Sequence, residues 1–525
     1  MSEGDKDLNT TSVKDVKQLG IFAAIASLSY VFWICGGMEM VERLAYYGTR
    51  QSTGLYVTAP TSEGGLGLTE TDLGIIFLIW AIVQTFVPVI TGGISDRFGY
   101  KETIFASTIF KILGYVLMGL FPSFWGFSIG AIVLAFGTGI FKPGIQGTIS
   151  KATNRTNSSI AWGVFYQTVN IGGALGPMVA VYLRQLSWDY LFFACAAIIS
   201  LNFLLLATYK EPDKEERLAR RAKVKSGEIK EESLAVESLK ELSNPVLLWY
   251  VVLFSGFWFM LYTFWDVAPL FFRDWVDTSA MVGQIFGEGG TSNGFWKFFW
   301  GMSSDGTEIK PEGLVNLNSI LIMFICFAVA GYSAKLRATS SMAIGTFLAS
   351  AALLTFGSVN FAWFIVAAIV IFSFGEMLSS PKSSEYLANI APREKKAMYL
   401  GFTQLPLGFG WVAESFFGPY LYGQFSSKEQ ISRLELANSG MDATEIASIP
   451  GGEAFMKLQE VTGMTADALT AQLYAANSVG TVWYVMGTVG LISCLGMVAY
   501  GKWTYKIAMM EEQNSTPRPE ATPAE

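Results

Sequence analysis

Twelve stretches of about twenty predominantly apolar residues recur along this chain, the length a helix needs to cross a hydrocarbon layer about 30 Å thick. They lie near 28–57, 72–95, 102–121, 126–149, 159–184 and 189–209, and again near 245–272, 314–334, 340–357, 360–388, 397–423 and 477–504. Backbone polar groups in lipid must be satisfied within the segment, so runs of this length predict helices. The expected fold is an all-α membrane protein of twelve transmembrane helices in two six-helix bundles, 21–209 and 244–505, facing a lipid bilayer. A charged segment, 210–243, joins them. The composition agrees: 51% of the 525 residues are hydrophobic and 15% are charged, against about a quarter charged in soluble chains.

The same composition excludes several functions. A net charge of −7 argues against a nucleic-acid partner. Histidine is absent, which removes the commonest general base, metal ligand and pH switch. Proton chemistry must then use carboxylates. Cys35, Cys195, Cys326 and Cys494 each sit inside an apolar run without a neighbour at metal or disulfide spacing, and read as small buried hydrophobes. No metal or cofactor is expected. Without a phosphate-cradling loop either, an enzyme is disfavoured.

Lys and Arg cluster in one set of loops: Arg97 and Lys101, Lys151 and Arg155, the 210–243 linker, Lys335 and Arg337, and Arg393, Lys395 and Lys396. The alternate segments 58–71, 121–125 and 356–360 carry neither. The basic set is therefore expected in the cytoplasm, with both termini inside a cell membrane. Residues 1–20 form a polar cytoplasmic segment with no cleavable signal, and Ile21–Ser27 is an interfacial turn. The 506–525 tail, with Pro517, Pro519 and Pro523, is expected to be disordered. Two outer segments, 273–313 and 424–476, exceed what a connector needs; 454–461 and 468–473 predict short amphipathic helices in the second.

Ionisable residues at bilayer depth cost at least about 2.5–3.5 kcal/mol each, so those inside the apolar runs carry the information. The first run holds Glu39, Glu42, Arg43 and Arg50. At 100° per residue, Arg43, Tyr46 and Arg50 each fall within roughly 40° of Glu39, one polar stripe that must face protein or a water-filled cavity. A self-compensating ion pair is the alternative for Arg43. Lys142 lies deep in the fourth run and Glu376 midway along the tenth, where Pro381 could break the helix. Asn170 in the fifth is flanked by Gly172, Gly173 and Gly176 and could equally serve as interhelical glue. Glu414 and Asp266 lie nearer the outer face by residue count, which predicts snorkelled or loop-capping roles. One half thus supplies acids and cations and the other a lone carboxylate. This suits a central cavity for a zwitterion or anion, where moving a cation switches a carboxylate between holding and releasing a proton.

The stretch Glu39-Met-Val-Glu42-Arg43-Leu-Ala-Tyr46-Tyr47-Gly48 resembles the first-helix signature of the proton-dependent oligopeptide transporter family, within the major facilitator superfamily. Gly92-Gly93-Ile-Ser-Asp96-Arg97-Phe-Gly99 is similar to the superfamily motif between the second and third helices. Segments at Lys142-Pro143, Phe165-Tyr166…Asn170 and Gly375-Glu376…Pro381 resemble further family motifs in order, so the likeness spans about 30–425. It implies a proton-coupled symporter of di- and tripeptides, with the proton as coupling ion. Glu39, Glu42 and Arg43 would couple protons, and Arg50 and Lys142 would meet a substrate carboxylate. Glu376, with Asn170 and Asn318, would meet an amino group, and Tyr46 and Tyr47 would line the pocket. Leu44, Thr85, Phe402 and Ser319 depart from the family pattern. The coupling frame is retained while the pocket wall has changed. A carrier of an amino acid, nitrate or an organic anion is the second expectation, and a non-transporting receptor or scaffold the third. Oligomeric state is left open.

Overall fold

The computed structural model describes residues 21–91, 95, 98–154, 157–211, 214–226, 240, 242–333, 336–390 and 402–515. The N-terminal segment 1–20, linker residues 212–213, 227–239 and 241, and residues 516–525 lie outside them, as do the positively charged loop residues Arg97, Arg155, Lys335, Arg393, Lys395 and Lys396.

The helices follow the apolar runs. A short α1 (Ile21–Ala26) precedes α2 (Tyr30–Thr58), α3 (Glu70–Thr91), α4 (Tyr100–Leu120), α5 (Phe124–Ala152), α6 (Ser158–Arg184) and α7 (Trp188–Thr208). The linker contains α8 (Lys214–Lys225), and α9 (Pro245–Asp266) opens the second half. Short helices α10 (Ala268–Trp275), α11 (Ser279–Phe286) and α12 (Gly294–Phe299) come next. Then come α13 (Pro311–Ser333), α14 (Ala338–Ser358), α15 (Ala362–Ile390) and α16 (Gln404–Phe425). Four more short helices, α17 (Lys428–Asn438), α18 (Ala443–Ser448), α19 (Ala454–Thr462) and α20 (Ala466–Ala476), lead to α21 (Thr481–Ser515). Local chemistry sets the starts. Ser123 caps α5 by accepting from the Gly126 amide at 3.1 Å, and Asn244 caps α9 ahead of Pro245 at the first turn, where a missing N–H costs nothing.

Twelve of these helices are long. Among the described residues, nine are long and apolar enough to cross a membrane, and the protein is an integral membrane protein. α2 misses that apolarity because it carries Glu39, Glu42, Arg43 and Arg50. Two expectations change. Pro381 does not break α15, which runs unbroken from Ala362 to Ile390. Nor is 506–515 a disordered tail: α21 continues through it, since Lys506 to Gln513 contains no breaker and extends the hydrogen-bond ladder already nucleated in the bundle.

In the first half α2 packs on α6 and α7, and α5 on α3 and α4; in the second, α14 packs on α15 and α21, and α9 on α16 and α21. The halves meet through α3 with α16 and α6 with α13. The α2–α6 contact is backbone to backbone. A Cβ on Gly176 would lie 2.5 Å from the Leu44 carbonyl oxygen and 2.8 Å from the Gly48 nitrogen. Small residues allow this approach, which hydrophobic attraction cannot drive between helices in lipid.

Helices α17 to α20 form a cap over one end of the molecule. Arg433 organises it, pairing with Glu429 at 2.8 Å and donating to the Ile446 and Ile449 carbonyls at 2.9 and 3.0 Å. Asp274 of α10 anchors the cap to the second half: the Tyr422 hydroxyl donates to it at 2.6 Å and the Lys428 amide at 3.3 Å. Burial opposes its charge, but the Arg273 guanidinium at 2.8 Å outweighs burial and holds its carboxyl below the usual range. The anchor therefore stays ionised in mildly acidic water. On the first half, Ser427 donates to Glu70, and Gly67 packs on the Gly451 carbonyl.

Gly176→Val is expected to destabilise the protein by about 1–3 kcal/mol, the usual cost of overpacking, read as a lower melting temperature in detergent. Gly173→Ala, where the added Cβ meets only the Tyr47 ring at 3.4 Å, should be tolerated. Equal losses in both would show that the α2–α6 contact is not limited by backbone approach.

Candidate functional site

The polar stripe of α2 is buried: Glu39, Glu42, Arg43 and Arg50 are all 5% exposed or less. Such charges must be solvated by one another. Arg43 lies between the two acids, with its Nε 3.3 Å from Glu39 Oε1 and a direct pair to Glu42. Lys142 of α5 donates to Glu39 Oε1 at 2.5 Å. Lys111 of α4 donates to Glu42 Oε1 at 3.1 Å and sits 3.5 Å from the centre of the Phe141 ring. Three cations thus face two carboxylates, one positive charge in excess when all are ionised. Lys142 alone reaches water, with its side chain 31% exposed.

The sequence reading assembles Glu39, Glu42, Arg43 and Lys142 but omits Lys111. The signal was there: a lysine inside the apolar run Phe110-Lys111-Ile112-Leu113 carries the same insertion penalty as Lys142.

Tyr46 and Tyr47 lie under Arg43, whose guanidinium is 4.8 and 5.6 Å from their ring centres. Tyr47 also meets Trp265 of α9 edge-on at 5.0 Å, so the wall of the cluster is shared between halves. One turn further along α2, Arg50 rests 3.8 Å above the Phe77 ring and pairs across the halves with Asp266 Oδ2 at 2.6 Å.

Asp266 and Glu414 overturn the expectation of snorkelled or loop-capping roles. They are 2% and 0% exposed, and both face Arg50. Counting residues to a helix end underestimates depth here because α10 and the cap cover that end. The second half therefore supplies more than a lone carboxylate. Glu312 of α13 also reaches across, taking both Arg184 Nε and Nη2 at 2.5 and 2.8 Å and the Ser52 hydroxyl at 3.2 Å. Arg273 donates to Thr58 at 2.7 Å. These ties hold the halves together at the cap end.

Glu376 lies at the mid-level of α15. Asn318 of α13 donates to it at 3.0 Å and to Ser373 at 3.1 Å. Across the interface, Tyr47 and Tyr166 are within electrostatic reach of Glu376. Tyr166 is 40% exposed. Asn170 is half-buried, and its amide donates to the Tyr166 carbonyl of its own helix at 2.9 Å. Gly99 has φ of 116° and immediately precedes α4 as its N-cap; Gly92, Asp96 and Arg97 lie outside the described residues. In the second half, Trp411 of α16 is buried and stacks on Tyr262 of α9 at 4.8 Å.

Removing one partner of a buried pair typically costs about 3–5 kcal/mol, because the other charge is left uncompensated. Glu42→Gln strips a carboxylate from a cluster already rich in cations and should approach that loss. Adding Lys111→Met should recover a substantial part of it. A double-mutant cycle by thermal unfolding checks this, and strictly additive losses would show that the two residues are not coupled.

Comparison with known proteins places this geometry. The model of the Major Facilitator Superfamily matches residues 44–340, more than half of the chain. The uncharacterized transporter YclF of Bacillus subtilis is 30% identical over 203 residues, 38% of this chain and 40% of its own length. The peptide transporter YePEPT of Yersinia enterocolitica is 28% identical over 160 residues, 29% of this chain and 31% of its own. The chain thus spans less than half the length of either relative in these matches. Among solved structures, a peptide transporter POT in complex with sulfate shares the fold with a TM-score of 0.63. It is 16% identical, with 93% of this chain and 98% of that one covered. With two six-helix halves in place and the family model spanning both sides of the linker, this chain belongs to the Major Facilitator Superfamily.

Proposed function

We propose that this protein is a proton-coupled symporter of di- and tripeptides that works by alternating access. One observation supports the reading: a cation-rich cluster on the first half, with Lys142 open to solvent, lies across Tyr47 and Tyr166 from a carboxylate–amide pair on the second. A small peptide is a zwitterion with a carboxylate at one end and an ammonium at the other. Lys142 suits the carboxylate, and Glu376 with Asn318 suits the ammonium, with Asn170, Tyr46 and Tyr47 along the path.

The cluster also supplies a coupling device. Lys142 is held by Glu39, so a substrate carboxylate must compete for it. A proton on Glu39 removes that competitor and frees Lys142, linking proton binding to substrate binding. Glu42 stays paired with Arg43 and Lys111 while this occurs. Arg50 is tied to Asp266 while the cap end is closed; separation of the halves there would free it for a substrate carboxylate. The positive-inside pattern puts the linker end in the cytoplasm of a cell membrane and the cap outside. The likeness to YePEPT and to solved peptide transporters supports peptide as cargo. The excess positive charge of the cluster also favours a second reading, a carrier of small organic anions.

Purified protein in liposomes is expected to take up a labelled dipeptide faster with an inward proton gradient than without one. Equal rates in both conditions would end the coupling claim, and a melting temperature raised by organic anions but by no peptide would favour the second reading. Glu376→Gln should weaken binding of peptides with a free amino terminus, typically by tenfold or more for loss of a buried charge pair. An equal effect on amine-blocked analogues would remove Glu376 from the amino-group site.

A further inference from the structure

The long segment between α10 and α13 takes no part in the substrate path, and it carries an apolar face. From Phe295 to Trp300 every residue except Lys297 is aromatic. At 100° per residue the five rings share an arc of about 200°, and Lys297 stands on the remainder. Its ammonium donates to the Ser304 carbonyl at 3.0 Å, in a polar turn where the Thr307 hydroxyl donates to Asp305 at 2.9 Å. The rings are turned the other way. Phe295 is 62% exposed, and Trp296 and Phe298 are exposed with it. Phe286 of α11 meets Trp296 at 6.2 Å, and its neighbour Ile285 is exposed too. A contiguous apolar face of this kind marks an interaction surface.

Its position identifies what covers it. α12 packs on α6, and Phe299 enters the seam between the halves, against the cluster of Ala174, Met178 and Ile320. Gln185, just past the cap end of α6, donates to the Met302 carbonyl at 3.2 Å. Met178 lies six residues inside that end, roughly 9 Å at the rise of a helix. An interfacial helix rides about 5–10 Å into the boundary between headgroups and acyl chains, so α12 sits at that depth. The flank agrees. Gln284 of α11 accepts from the Trp363 indole at 2.7 Å, and Phe361, Trp363 and Phe364 are exposed where α15 begins. Exposed aromatic rings at span ends are the belt of a membrane protein. The α12 face continues that belt across the seam.

We propose that α11 and α12 form an interfacial strap whose partner is the lipid leaflet on the cap side. Phe295, Trp296, Phe298 and Ile285 insert at the headgroup–acyl boundary, and Phe299 plugs the α6–α13 seam. Lys297 and the polar turn stay on the water side. The strap thereby keeps lipid out of the seam at that edge of the molecule. The inference depends on the protein being integral to a membrane, and on neither peptide nor proton.

The full-length protein in vesicles of phosphatidylcholine and phosphatidylglycerol tests it. The four native cysteines are buried, so a nitroxide label goes selectively to F295C, or to S304C on the polar turn. Power saturation with oxygen, which concentrates in lipid, and with a nickel chelate, which stays in water, reads the depth of each. The oxygen-to-nickel accessibility ratio should be several-fold higher for F295C than for S304C. I285C should match F295C, and it serves without altering α12 if that variant fails to fold. Ratios for F295C and I285C equal to that for S304C would put the face in water and overturn the strap. Low accessibility to both reagents overturns it as well: spin–spin broadening would then assign the face to a second copy of the chain, and its absence to a segment of the same chain.

Discussion

Glu39 and Glu42 are buried deep in the first half, and much of the structure follows from neutralising them. An isolated buried carboxylate costs several kcal/mol, so each acid recruits cations from neighbouring helices. Arg43 comes from their own helix, Lys111 from α4 and Lys142 from α5. These pairs tie three helices into one electrostatic unit. Gly176 and Gly48 let α6 close on the same stretch of α2. The result is a cluster in which Lys142 alone of the three cations reaches water.

The halves are joined by a different kind of contact. Arg50–Asp266, Arg184–Glu312, Arg273–Thr58 and Ser427–Glu70 each cross between them toward the cap end. Polar ties of this kind would suit the proposed alternating access, because water replaces them on separation more readily than it replaces buried apolar area. The cap adds mass to the same end and is itself pinned by Arg433 and Asp274.

The parts legible in the sequence were those governed by local spacing. The i,i+4 relation of Glu39 and Arg43 and the depth of Lys142 and Glu376 needed only helical periodicity and the cost of charge in lipid. Lys111 obeys the same rule. Asp266 and Glu414 were misplaced for a different reason. Residue count gives the distance to a helix end, but not what covers that end, and here α10, the cap and the opposite half all do. Trp411 was likewise hidden, since which face of α16 meets Tyr262 depends on how the helix is turned.

The sequence by itself determined the number and length of the long helices, the division by a charged linker and the presence of stranded acids and bases. These follow from hydrogen-bond satisfaction and ion solvation, which act over one turn or one span. Only the tertiary structure decided which charge meets which. The pairing of Arg50 with Asp266 and the orphaned state of Glu414 join residues more than two hundred positions apart. Their energies depend on the dry space between halves, which exists only once both have folded.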